Sequence, residues 1–151
     1  MAIQPHTSVK PAIFPKPRRQ NTYQPKQTSG FTIIEQSQKG VSTQQVDQLA
    51  ELLGLSLKEM ATVLQIAERT LHRFRQEGHL DVQSSKRLLL LDNLAAHGLL
   101  VFDGHTDALA DWLRYPLREL KQQAPLELLT TISGFGLVDD VLTRIEYGVY
   151  S

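Results

Sequence analysis

Residues 42–78 read STQQVDQLAELLGLSLKEMATVLQIAERTLHRFRQEG, and this stretch decides the fold class. Val46, Leu49, Ala50 and Leu53 fall at i, i+3, i+4 and i+7, the spacing that lines one face of an α-helix. Residues 42–53 are therefore expected to form an amphipathic helix, with Ser42 or Thr43 as N-cap and Gly54 just past its end. Leu57, Met60, Ala61 and Leu64 repeat the spacing after Ser56, which stands three residues before Glu59 and so makes a capping box. A third helix is expected over Glu68 to Glu77, closed by Gly78, with Leu71 and Phe74 inward. Two short helices, a tight turn carrying Ile66, and a third helix with a basic outer face form the pattern of a helix-turn-helix. Ala61 is small where the first helix of the pair must let the second cross closely.

On the third helix Arg69, His72, Arg73 and Gln76 line a stripe opposite Leu71 and Phe74, and Thr70 sits beside them. These side chains suit a major groove, where Arg pairs with guanine O6 and N7 and Gln with adenine N6 and N7, so the five are the candidate DNA contacts. Two departures weaken the pattern. The turn carries Gln65 where such turns usually hold a glycine, and Ala67 stands where a Ser or Thr cap would contribute about 1 kcal/mol.

Downstream, Leu88 to Leu91 with Leu94, Ala95 and Leu99 predict a helix that is apolar around much of its circumference, hence a central element packed on several sides. Ala108, Leu109, Trp112 and Leu113 predict a shorter helix stopped at Tyr115-Pro116, and Trp112 reads as core. Pro125 is suited to start the next at its first helical position. Val138, Val141, Leu142 and Ile145 predict a last helix, with Asp139 and Asp140 expected in its first turn and Arg144 in its last. Every element is helical, so the fold class is all-α.

Composition bounds the function. The chain has 151 residues, 41% of them hydrophobic, and no apolar run approaching the ~20 residues of a membrane span. Sixteen basic and sixteen acidic residues give a formal charge of zero, but they are unevenly spread. Residues 1–34 carry five basic groups and no acid, along with five of the seven prolines. They read as a disordered basic arm, with no apolar core that would make a secretory signal. Residues 55–91 carry a net +2 and residues 92–151 a net −5. A neutral total thus says nothing against a nucleic-acid partner. The absence of cysteine excludes disulfides, thiol nucleophiles and cysteine metal sites and suits a reducing cytoplasm. His6, His72, His79, His97 and His105 show no ligand spacing, and no Gly-rich phosphate loop or nucleophile motif is present. No metal, cofactor or catalytic residue is expected, and the chain reads as a non-enzyme.

Several motifs together resemble a known family. Arg69-Thr70-Leu71, Gly78-His79-Leu80, Ser85-Lys86-Arg87-Leu88, Ala110-Asp111-Trp112-Leu113-Arg114-Tyr115-Pro116, Ala124-Pro125-Leu126-Glu127-Leu128-Leu129 and the ending Arg144-Ile145-Glu146-Tyr147-Gly148-Val149-Tyr150-Ser151 are similar to the Xre/MbcA/ParS antitoxins over residues 42–151. These are the antitoxin halves of operons whose toxin has a RES domain. The resemblance implies a Xre-like helix-turn-helix half that dimerises on operator DNA and a C-terminal half that inhibits a cognate RES-domain toxin, one that consumes NAD or modifies proteins with ADP-ribose. It implies a homodimer within a toxin–antitoxin hetero-oligomer. It also implies that Arg144, Glu146, Tyr147, Gly148, Val149, Tyr150 and Ser151 reach the toxin's active-site cleft. A cleft that holds a pyrophosphate should be electropositive, which gives the acidic C-terminal half a physical rationale. Between the two prolines this chain has Leu117 to Gln123, where the family commonly has a glycine-containing loop. The expected division is a flexible arm over 1–40, the helix-turn-helix over 41–83 and a toxin-binding domain over 84–151. The competing expectation is a stand-alone transcriptional regulator whose C-terminal half only dimerises.

Overall fold

Helix-capping chemistry sets most of the element boundaries in the computed structural model, which describes residues 21–148. Eight α-helices follow one another among these residues: α1 (Gly30–Lys39), α2 (Thr43–Leu53), α3 (Leu57–Leu64), α4 (Glu68–Glu77), α5 (Val82–Val101), α6 (Thr106–Arg114), α7 (Pro125–Leu128) and α8 (Ile132–Glu146), with a single 3-10 turn at Arg118–Leu120. Ser42 caps α2 through the Gln44 N–H, and Gly54 ends it in the left-handed region. Ser56 and Glu59 form the reciprocal capping box of α3, at 3.1 and 3.0 Å. Asp81 opens α5 by accepting from Ser84 N at 2.8 Å, and Thr131 opens α8 by accepting from Gly134 N at 3.0 Å. Each such cap satisfies N–H groups that the first helical turn leaves without a partner.

The twenty-residue α5 is the axis of the molecule, packed by α1, α2, α3, α6 and α8. One contiguous core runs along it, from Leu49, Met60, Leu64 and Leu71 on one side to Leu109, Leu129 and Leu142 on the other. The boundary expected between residues 83 and 84 falls inside α5, so the two halves share a helix and a core.

Two expectations are corrected. The arm predicted over 1–40 is structured from residue 21 onward, while residues 1–20 lie outside the described residues. Residues 21–29 form a strap across α5 and α2: Tyr23 Oη donates to Asp92 at 2.5 Å, Lys26 N donates to Asp92 at 3.1 Å, Thr28 N donates to Asn93 at 2.7 Å, and Asn21 donates to Gln48 O at 2.8 Å. Burial beside the Asp92 carboxylate pushes the Tyr23 hydroxyl well above its ordinary pKa. Burial raises Asp92 in turn, against the hydrogen bonds it accepts. Helix α1 then starts on the Ser29 cap and lays Ser37 against the body. The anchors are polar and distant in sequence, so they leave no local apolar periodicity to read. Secondly, Asp139 and Asp140 are not in the first turn of α8, because Thr131 starts that helix at Ile132 and places them midway along it.

Candidate functional site

The helix-turn-helix is α3, its turn and α4. Gln65 takes the left-handed conformation that a glycine usually supplies, with φ at 58°. Its side-chain amide donates to Thr62 O at 2.6 Å, and Ile66 N donates to Ala61 O at 3.0 Å. The turn keeps its geometry by hydrogen bonding the carbonyls that α3 leaves open, which offsets the cost of a side chain at positive φ. Ala67 provides no side-chain cap to α4, so that departure stands uncompensated.

Leu71 and Phe74 anchor α4 in the core, while Arg69, His72, Arg73 and Gln76 are exposed and Thr70 is half-buried. The structure therefore brings the expected stripe together on one solvent face. Arg73 is partly engaged, 3.8 Å from Glu77 and stacked over the Phe74 ring at 5.4 Å. Arg75, on the flank of the stripe, pairs with Asp47 of α2 at 3.4 Å and links α4 to α2.

At the other end, α8 is buried through Val138, Val141 and Leu142 and then emerges. Arg144 and Gly148 are exposed, and Tyr147 is 73% exposed. Val149, Tyr150 and Ser151 lie outside the described residues. Glu146 is exposed at the surface, but its carboxylate turns toward the body. Its Oε2 lies 2.8 Å from His97 Nε2, and Asp139 Oδ1 lies 2.6 Å from His97 Nδ1. His97 is thereby the one of the four described histidines held inside, while His72, His79 and His105 are exposed. Sequence reasoning missed this triad because its members belong to different helices. Its only trace was a histidine among the apolar residues of the most buried helix.

A second missed group joins the halves. Arg114, in the Trp112-Leu113-Arg114-Tyr115-Pro116 motif, donates to both Glu59 oxygens at 2.8 Å and to Gly54 O at 2.7 Å. The guanidinium, with help from the Ser56 cap, holds the Glu59 carboxyl down at about 2. Trp112 is only half-buried, tilted against Phe102 with ring centroids 5.8 Å apart. Between the strap, α5 and α8 lies an open cavity of about 400 Å³, lined by Leu90, Leu94, Ile132, Phe135 and Asp139 among others. The described residues contain no helix long and apolar enough to cross a membrane, and no cluster of three or more potential metal ligands.

Comparison with known proteins matches two domain models in succession. The model for the antitoxin Xre-like helix-turn-helix domain matches residues 32–91, and that for the antitoxin Xre/MbcA/ParS C-terminal toxin-binding domain matches residues 97–148. An Antitoxin Xre of Yersinia enterocolitica is 24% identical over 81% of this chain and 83% of its own length. An Antitoxin Xre of Photorhabdus laumondii is 31% identical over 50% of this chain and 51% of its own. A protein of a Sphingobium species named Prs ADP-ribosylating antitoxin is 27% identical over 75% of this chain and 77% of its own length. With a helix-turn-helix domain and a toxin-binding domain matched in succession, the chain belongs to the Xre/MbcA/ParS antitoxin family.

Proposed function

We propose that this antitoxin inhibits a cognate RES-domain toxin that consumes NAD or transfers ADP-ribose, and that it represses its own operon by binding operator DNA as a homodimer in the cytoplasm. Its role is binding rather than catalysis. The observation that carries the reading is the separation of two exposed surfaces on one shared core: the polar stripe Arg69, Thr70, His72, Arg73 and Gln76 on α4, and the end of α8 from Arg144 onward. The name of the Sphingobium relative, an ADP-ribosylating antitoxin, supports ADP-ribose chemistry in the partner. Phe31 and Ile34, 84% and 53% exposed on successive turns of α1, supply an apolar surface suited to a second copy. On this reading Arg144, Tyr147, Gly148, Val149, Tyr150 and Ser151 touch the toxin, and Glu146 acts from its place beside His97.

The test is co-expression with the RES-type protein encoded beside the gene, purification of the complex, and NAD consumption with and without this chain. The expected result is a stable complex that spares NAD. Equal consumption by complex and free toxin would refute the inhibitor reading. Removing Tyr150 and Ser151 should weaken neutralisation while leaving operator binding intact.

A further inference from the structure

The apolar grip on α8 ends before the helix does. After Leu142 the inward positions are Thr143 and Ile145, both only half-buried, and Glu146 and Tyr147 are outside. A carboxylate at the last helical position also faces the negative end of the helix dipole, which opposes it. Ile145 packs only at the edge of the core, so hydrophobic burial holds this turn in part. The His97 ring adds a polar hold: only 8% exposed, it reaches Asp139 with one nitrogen and Glu146 with the other, two residues about two turns apart on the same face of α8. Both partners are acceptors, so both contacts are hydrogen bonds only when both ring nitrogens carry protons.

We propose that His97 is a positioning residue for the C-terminal end of the chain: its imidazolium bonds Asp139 and Glu146 at once, closes the last two turns of α8 onto α5, and fixes where Tyr147 leaves the body. The latch depends on the proton. A neutral ring has one N–H, so one carboxylate must then face a nitrogen lone pair and its contact is lost. Burial lowers the affinity of the ring for its proton, but the two carboxylates outweigh it and hold His97 above the ordinary histidine range. Among the described residues those two, both from α8, are the charged groups that act on the ring, and α1, α2, α3 and α6 add none. The sign follows. A raised pKa means the latch is closed below the His97 titration and opens as pH rises through it. The use of such a latch rests on the toxin-binding reading of the C-terminal end, but its existence is tested on the free chain.

The experiment is an NMR titration of the His97 ring in the full-length protein, with amide hydrogen exchange of residues 143–148 followed over the same pH range. In the wild type the ring should titrate above the ordinary histidine range. Across that titration, protection of the last α8 turn, corrected for intrinsic exchange, should fall by about tenfold, the loss expected for one charge-assisted hydrogen bond in a half-exposed site. Glu146→Ala leaves the core intact. It should lower the ring's titration and hold protection at the low level at every pH, whereas a purely local helix effect would raise protection, because Ala is the better helix former. A wild-type protection that ignores the titration, or a ring titration unmoved by Glu146→Ala, would overturn the latch, and neither readout involves a toxin.

Discussion

Arg114→Ala tests whether one guanidinium ties the toxin-binding half to the helix-turn-helix. Arg114 extends from the end of α6 and takes both oxygens of Glu59, at the start of α3, together with the carbonyl of Gly54, at the end of α2. Holding the Glu59 carboxyl at about 2, against 4.5 ordinarily, corresponds to roughly 3 kcal/mol between its two protonation states. That is an upper bound for the substitution. Arg114 is 45% exposed and Glu59 30%, and the Ser56 cap supplies part of the depression. Solvent screening brings the expected loss to about 1–2 kcal/mol at pH 7, the high end for a surface pair because the geometry is bidentate. The pH dependence makes the test specific. A depressed carboxyl pKa contributes stability that is fully present above the unfolded value near 4.5 and is lost as pH falls toward about 2. Urea melts of wild type and variant between pH 7 and pH 2.5 should therefore show a gap that closes on acidification. A gap below about 0.3 kcal/mol at neutral pH would be within the ordinary scatter of surface substitutions and would refute the assignment. So would a gap unchanged down to pH 2.5.

Three further outcomes follow from single positions. A Cβ at Gly134 would overlap Leu128 O, so Gly134→Ala must push α7 away from α8, and thermal melts should show a loss of about 3 kcal/mol or more. The Ser84 hydroxyl is buried without a hydrogen-bond partner among the described residues, so Ser84→Ala should be neutral or stabilising by up to about 1 kcal/mol, and a clear loss in urea melts would mean that the hydroxyl is satisfied in solution. On operator DNA, Arg69→Ala should cost about 1–3 kcal/mol and relax sequence preference, as expected of a base contact; a uniform loss with a shallower salt dependence would assign it to phosphate instead.

How far the sequence could be read depended on where each stabilising group lies along the chain. Ser42, Gly54, the Ser56–Glu59 box, Gly78 and Pro125 act on neighbours within four residues, and the elements they delimit formed where expected. The strap over residues 21–29 depends on Asp92 and Asn93, more than sixty residues away, and the proline-rich, basic composition of residues 1–34 gave no sign that those partners existed. The start of α8 was hidden by Gly134 and Gly136. Glycines are poor helix formers, yet Gly134 is needed there because Leu128 O occupies the space a side chain would take. For the candidate surfaces, the α4 stripe was legible because one helix carries all of it. The His97 triad and the Arg114 joint needed two or three helices to meet before they existed at all.

That difference changes the electrostatic argument for the C-terminal half. Residues 92–151 carry a net −5, and a uniformly outward-facing acidic surface would draw the chain toward a basic cleft. Yet Asp92 is buried under the strap, Asp139 and Glu146 share His97, and Glu127 accepts from Ala124 N at 2.8 Å to start α7. Four of the nine acids thus have internal partners. A cleft that drew Glu146 outward would have to compete with an imidazolium already at 2.8 Å and would unlatch the turn that presents Tyr147. The attraction left for a partner comes from exposed acids such as Asp103, Asp107, Asp111 and Asp140, spread over α6, its approach and α8. Such dispersed charges speed encounter more than they tighten a complex. On the proposed reading, affinity for a toxin then has to come from contacts such as the exposed Tyr147 ring rather than from net charge.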